Sequence, residues 1–239
     1  MEEYVNFDSC QNGVFQKRTL DREHFNKMLI LILLASYLLG SFPTSIVVGR
    51  VLKGIDIRQY GSGNAGATNA FRVLGPAAGV FVFAVDFAKG MVAVLLFAKL
   101  AGCSPVINPE LMQILAAVAV VSGHIWTVFA GFKGGKGVGT AAGALLALAP
   151  VEVAIAFATW TAVTLSSGYV SLGSLCAAVV LPLCLSIEKI ALNRPVSAEL
   201  LLFVCLLAGL IIFTHRSNIR RLLRGEENRF GSKRFKGTQ

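Results

Sequence analysis

Between Gly61 and Arg72 the chain gathers three glycines, the small polar side chains Ser62, Asn64, Thr68 and Asn69, and one guanidinium within twelve residues. Backbone amides, short hydroxyl and amide groups and a fixed cation are the parts of an anion site. A second cluster, Gly131-Phe132-Lys133-Gly134-Gly135-Lys136-Gly137-Val138-Gly139-Thr140, opens into a helix. Orphan amides at that helix start, the positive end of its dipole and the Lys136 amine, framed by Gly134, Gly135 and Gly137, would cradle a phosphate. The loop is not of the nucleoside-triphosphate-binding kind: Gly137 stands where a Ser or Thr would hold magnesium, and no second acidic magnesium ligand is apparent. Close approach of helices through small residues accounts for some of these glycines.

Two further segments are polar. Ser166 to Ser174 supplies hydroxyls, among them Ser171 and Ser174, and Thr214 to Phe230 carries His215 and Asn218, three apart and so on one helical face. The acids in the motif segments, Asp56, Glu226 and Glu227, stand at no recognisable triad spacing to a Ser or Cys and a His. No metal ligand set or cofactor motif is expected. His124, inside an apolar run, reads as a donor between helices, and Asp86 with Lys89 as an internal ion pair that offsets the desolvation of each.

The elements that must hold these groups follow from composition. Of 239 residues, 55% are apolar and 15% charged, against roughly 25% charged in soluble domains. That is the balance of a polytopic membrane protein, all-α. Apolar runs at Met28 to Val48, Ala77 to Lys99, Leu111 to Ala130, Val170 to Ile187 and Leu200 to Phe213 match the length that spans a bilayer. Val138 to Ser166 is split by Pro150 into two short helices, 138 to 149 and 151 to 167, so seven transmembrane helices are expected. Lys and Arg residues between the spans fall fourteen on the side of the tail and seven on the other. By the positive-inside rule the tail is cytoplasmic, and an odd span count puts the N-terminus outside.

The expected organisation is a polar, extracytoplasmic extension over 1–27, a membrane domain over 28–215 and a basic cytoplasmic tail over 216–239. The extension is not a secretory signal, and Met28 could be the natural initiator. The net charge of +9 is concentrated in the tail, which reads as an anchor near anionic headgroups rather than as a nucleic-acid surface. Cys10, Cys103, Cys176, Cys184 and Cys205 have neither metal spacing nor an even count.

All four polar segments fall on the tail's side of the membrane, and together they carry a resemblance. GSFPTS, DIRQYGSGNAGATNAFRVLG, HIWTVFAGFKGGKGVGT and HRSNIRRLLRGEENRF, over about residues 28 to 230, resemble the bacterial integral-membrane glycerol-3-phosphate acyltransferases that use acyl phosphate, the PlsY type. The resemblance implies a seven-helix fold in the bacterial inner (plasma) membrane, among membrane lipids, with the active site facing the cytoplasm. It also implies transfer of an acyl group from acyl phosphate to the 1-hydroxyl of glycerol 3-phosphate, without cofactor, metal, nucleic acid or obligate protein partner.

On the same basis Ser62, Arg72, Lys136, His215 and Asn218 are expected to be catalytic. Asn64, Thr68, Asn69, Gly134, Gly135, Gly137, Ser171 and Ser174 are expected to bind substrate, and Glu226 to be a structural acid tying back the tail. The HxxxxD motif of the soluble-type acyltransferases is absent, since Leu29, Phe129 and Arg220 stand five residues after the three histidines. A secondary transporter of an organic phosphate is the alternative; against it stand the lack of a detectable inverted repeat and the confinement of the polar motifs to one face.

Overall fold

The structure is a computed structural model that describes residues 22–100 and 107–230, and all regular structure in these residues is helical. Helix α1 (Arg22–Ser41) reaches back into the expected polar extension and stops at Phe42-Pro43. Pro43 lacks an N–H and disfavours helical geometry in the residue before it. Helical hydrogen bonding pauses there and α2 (Thr44–Lys53) resumes it, so the expected first span, Met28 to Val48, lies within one helical stretch made of two segments, Phe25–Lys53. A short α3 (Ala67–Leu74) follows in what read as an open connection.

Proline also sets three helix starts, where its missing N–H would be unpaired anyway: α4 (Pro76–Val92), α6 (Pro109–Ile125) and α8 (Pro150–Ser167). Helix α4 runs on through a π-helical turn at Ala93–Phe97 into α5 (Ala98–Leu100). Asn108 caps α6 by accepting from Leu111 N at 2.7 Å. Between them lies α7 (Val138–Leu146), so the division near Pro150 is present. Helix α9 (Val170–Ile190) continues through Pro182, and α10 (Ala198–Thr214), capped by Ser197, turns by 58° at His215 into α11 (Arg216–Leu223).

Among the described residues four helical stretches are long and apolar enough to cross a membrane: Phe25–Lys53, Pro76–Phe97, Pro109–Ala130 and Val170–Ile190. The bent pair α10 and α11 makes a fifth if counted as one. With nine residues, α7 is about 14 Å long at 1.5 Å per residue, under half of a ~30 Å hydrocarbon core.

Glycines set two tight crossings. A side chain at Gly40 or Gly123 would run into the Val120 or Tyr37 carbonyl, locking α1 against α6; one at Gly90 or Gly143 would meet the Thr140 or Phe87 carbonyl, locking α4 against α7. The main core, including Val120, Val121, Leu145 and Val204, lies where α6, α7 and α10 meet. The expected ion pair is present: Lys89 Nζ lies 2.8 Å from Asp86 Oδ1, both side chains buried. Cys176, Cys184 and Cys205 are free thiols. Cys10, Cys103 and the ends of the extension and tail lie outside the described residues.

Candidate active site

The first polar connection is held by its own side chains. Asp56 caps a helical turn over Ile57–Gln59 and pairs with Arg58 at 2.7 Å, while Arg58 Nη1 donates to Ala130 O at 2.8 Å and so lashes this connection to the glycine-rich one. Asn69 is buried, and its amide is fully occupied. Its Oδ1 accepts from Ser62 N at 2.9 Å, and its Nδ2 donates to Ile57 O at 3.0 Å and Tyr60 O at 3.1 Å. Both Nδ2 protons are thereby committed to backbone carbonyls, and Asn69 fastens the Ser62 loop. Ser62 and Asn64 line the cavity described below, whereas Thr68, on the first turn of α3, does not.

The glycine-rich connection is also spent internally. Gly134 N donates to Ile125 O at 3.0 Å and Gly135 N to His124 O at 3.1 Å. These two amides therefore shape the loop rather than receive an anion, as the cradle reading required. Gly137 adopts φ +84°, a left-handed turn suited to glycine, and aims the chain into α7. Lys136 is left facing the tail, where its amine donates to Asn218 Oδ1. Burial pushes the Lys136 amine down to about 8; Arg221 and Arg72 add to this and Glu227 opposes it.

In the tail, His215 Nδ1 lies 2.8 Å from Ile211 O. A carbonyl can only accept, so Nδ1 carries the proton and Nε2 of the neutral ring is an acceptor. Burial, and then the nearby Lys136, push this imidazole down to about 4. Asn218 turns its Nδ2 to Glu227 Oε1 at 2.7 Å, Ser171 Oγ donates to the same oxygen at 3.0 Å, and Arg221 Nε donates to Oε2 at 2.7 Å. The acid that ties the tail back is thus Glu227; Glu226 is exposed. Gly225, at φ +70°, turns the chain so that the second glutamate faces inward.

Ser174 donates to Val170 O in its own helix at 3.0 Å and does not line the cavity described below. Arg72 reaches the tail through Asn228 O at 3.3 Å, its Nε buried without a hydrogen-bond partner. Burial disfavours its charged form, with Glu227 opposing.

These elements enclose a cavity of ≈370 Å³. Lys133, Lys136, Arg216 and Arg221 line it together with Ser62, Asn64, Ser217 and Asn218, and no acid does. Ile125, Trp126, Phe132 and Phe213 supply its apolar lining; the three aromatic residues remain exposed on the protein surface. The cavity is built to take a multiply charged anion that carries an apolar group. Of the expected residues it brings together Ser62, Asn64, Gly134, Gly135, Lys136 and Asn218; Arg72 and Ser171 stand behind them through Asn228 and Glu227. Sequence reasoning missed Lys133, Arg216, Arg221 and Glu227. Arg216 and Arg221 stood in a tail that read as a membrane anchor, Lys133 within the glycine-rich motif was counted only toward topology, and Glu227 stood only among the acids without a triad spacing. Among the described residues no group of three or more His, Cys, Asp and Glu could hold a metal ion.

Residues 30–225 match the family model described as glycerol-3-phosphate acyltransferase. Relatives bearing that name include one from Chlorobium phaeobacteroides (strain BS1), 45% identical over 225 residues, covering 84% of this chain and 96% of the relative. Another, from Chlorobaculum tepidum, is 45% identical over 227 residues, covering 85% and 98%. Among solved structures the chain is similar to PlsY (YgiH), an integral membrane glycerol 3-phosphate acyltransferase. The match to its glycerol 3-phosphate form has a TM-score of 0.75 at 39% identity, covering 85% of this chain and 96% of that one. The lysophosphatidic acid form gives 0.73 at 38% identity, covering 85% and 95%.

Proposed function

The chain belongs to the glycerol-3-phosphate acyltransferase family, and on that premise we propose that it transfers a fatty acyl group from acyl phosphate to the 1-hydroxyl of glycerol 3-phosphate, releasing lysophosphatidic acid and inorganic phosphate. The observation that carries this reading is the cavity, with four cations, no acid and three aromatic residues in its apolar lining. Both substrates bear phosphate and one bears a long acyl chain. The cations hold the phosphates, and Trp126, Phe132 and Phe213 take the chain toward the lipid. Solved forms of PlsY with glycerol 3-phosphate and with lysophosphatidic acid support the substrate and the product.

In the step itself, the 1-hydroxyl oxygen forms a bond to the acyl carbonyl carbon, and the bond from that carbon to the phosphate oxygen breaks with its electron pair leaving on phosphate. Lys136 and Arg221 hold phosphate oxygens, with Arg72 adding its charge from behind. Ser62, held by Asn69, orients the attacking hydroxyl, and His215 Nε2 is left to accept from the 2-hydroxyl of glycerol 3-phosphate, so that the 1-hydroxyl keeps its proton for transfer. An imidazole pushed down to about 4 is a poor base at neutral pH. The hydroxyl proton therefore passes to a substrate phosphate, whose second pKa is near 6 as in other phosphomonoesters. Orientation of two bound reactants can supply ~7 to 11 kcal/mol of the barrier.

The site faces the cytoplasm of a bacterial plasma membrane, with seven helices in that membrane, of which α7 reaches only part of the way across. The basic residues between spans, fourteen to seven, support that orientation. The carbonyl of Gly168, in the α8–α9 turn, accepts from Phe230 N at 2.7 Å, so this turn lies beside the tail, which supports a topology in which α7 and α8 leave that side and return as a pair. Purified protein in detergent, given glycerol 3-phosphate with acyl phosphate, acyl coenzyme A or acyl carrier protein in separate reactions, is the test. Lysophosphatidic acid should form with acyl phosphate alone; equal product from another donor overturns the donor assignment, and none from any donor overturns the reaction.

A further inference from the structure

The buried side of the site holds a polar cluster that the transfer step does not use. The Lys89 ammonium directs its three protons to Asp86 Oδ1 at 2.8 Å, Thr44 Oγ1 at 2.6 Å and Phe42 O at 2.6 Å, and Thr44 donates to the same Asp86 oxygen at 2.9 Å. A buried ion pair is often no more stabilising than apolar packing of the same volume. What distinguishes this one is the geometry it fixes. On its other side His124 Nδ1 stands 3.8 Å from Asp86 Oδ1.

The same histidine bears on the glycine loop twice. Its carbonyl takes the Gly135 N–H at 3.1 Å, and its ring fills the space beside Gly135, where a Cβ would overlap Nε2. The neighbouring Gly134 N–H goes to Ile125 O at 3.0 Å. Lys136 is the next residue, so the peptide that His124 grips sets the direction of the Lys136 amine into the cavity.

We propose that Asp86 and His124 are positioning residues for Lys136: the lysine-held carboxylate stands against the imidazole at 3.8 Å, a contact beyond hydrogen-bond length that bounds the ring on that side, and the ring and carbonyl of His124 hold the Gly134–Gly135 strip. This rests on the reading of Lys136 as a phosphate ligand. The same arrangement explains why burial can hold that amine down to about 8 from an ordinary 10.5: a loosened loop would return it to water.

The test uses two readouts on the full chain in detergent. One is turnover with acyl phosphate and glycerol 3-phosphate. The other is the pH midpoint at which the Lys136 amine reacts with an amine-directed reagent, resolved at that residue by mass spectrometry. Gly135→Ala should lose turnover by about a hundredfold, because its methyl displaces the ring and the loop together. His124→Ala should raise the Lys136 midpoint above that of the wild type. The double variant, in which the methyl occupies the vacated ring space, should regain about tenfold or more over Gly135→Ala alone; the Ala65 carbonyl, 3.0 Å from the same position, has only to yield slightly.

Removing both charges together, as Asp86→Ala with Lys89→Met, should raise the midpoint as far as His124→Ala does, and combining all three changes should raise it no further. A double variant no better than Gly135→Ala overturns the proposal, as do midpoint shifts that add. If the wild type transfers no acyl group, the proposed function fails on its own terms; the midpoints then decide, and an unchanged value in His124→Ala rejects the positioning role.

Discussion

Lys136→Met keeps the length of the side chain and removes its charge. In the structure the amine is buried, donates to Asn218 Oδ1 and sits in the field of Glu227, Arg221 and Arg72. Loss of a hydrogen-bonded charge from a desolvated site costs about 2 to 5 kcal/mol. At 1.36 kcal/mol per tenfold, that is roughly 30-fold to 5,000-fold in kcat/KM for glycerol 3-phosphate. The pH profile gives an independent reading. The free enzyme's amine is protonated below about 8 and loses its charge as pH rises, so kcat/KM should fall about tenfold per unit above that point. In Lys136→Arg the cation persists past pH 12, and this alkaline limb should vanish whatever activity the variant retains. The assay is release of inorganic phosphate, with spontaneous acyl phosphate hydrolysis subtracted. Near-normal kcat/KM in Lys136→Met, or an unchanged alkaline limb in Lys136→Arg, would refute the assignment.

Glu227→Gln should lower stability by about 2 to 3 kcal/mol, since Arg221 loses a charged partner in a mostly buried setting, while Glu226→Gln leaves thermal unfolding in detergent unchanged; equal effects would return the tie to both acids. Asn69→Ala strips partners from Ser62 N, Ile57 O and Tyr60 O and should cost about 1 to 3 kcal/mol, seen as a lower unfolding temperature together with reduced turnover; turnover lost with full stability would make Asn69 a ligand contact instead. His215, neutral above about 4, should contribute no inflection to kcat/KM near pH 6.5, and His215→Gln should raise KM more than it lowers kcat. A fall in kcat of about a hundredfold or more at unchanged KM would show that His215 moves the proton.

How much of this was legible in the sequence depended on whether the signal was local. Pro150 divides α7 from α8 as its chemistry requires, and Asp86 pairs with Lys89 because two charges one turn apart in an apolar run have few other partners. Pro43 carried the same kind of signal and was outweighed by hydropathy, since the run from Met28 to Val48 is apolar on both sides of it. Pairing over long separations was not legible. Asn69 and Asn64 are alike by composition, and only the fold shows that the first is consumed by backbone groups while the second faces the cavity. Choosing between Glu226 and Glu227 requires the left-handed turn at Gly225, and Arg221 becomes a site residue only through Glu227. Charges assigned to the membrane surface proved to have a second face, because α11 folds back at 58° and brings Arg216 and Arg221 to the cavity.

The most direct measurement of the central claim is product stoichiometry from the purified chain. With acyl phosphate and isotopically labelled glycerol 3-phosphate, and with spontaneous hydrolysis subtracted, lysophosphatidic acid and inorganic phosphate should appear in equal amounts, saturably in both substrates, and Lys136→Met should lower both products together and by the same factor. Phosphate release that does not depend on glycerol 3-phosphate, or labelled glycerol 3-phosphate that enters sealed proteoliposomes without being acylated, would contradict it.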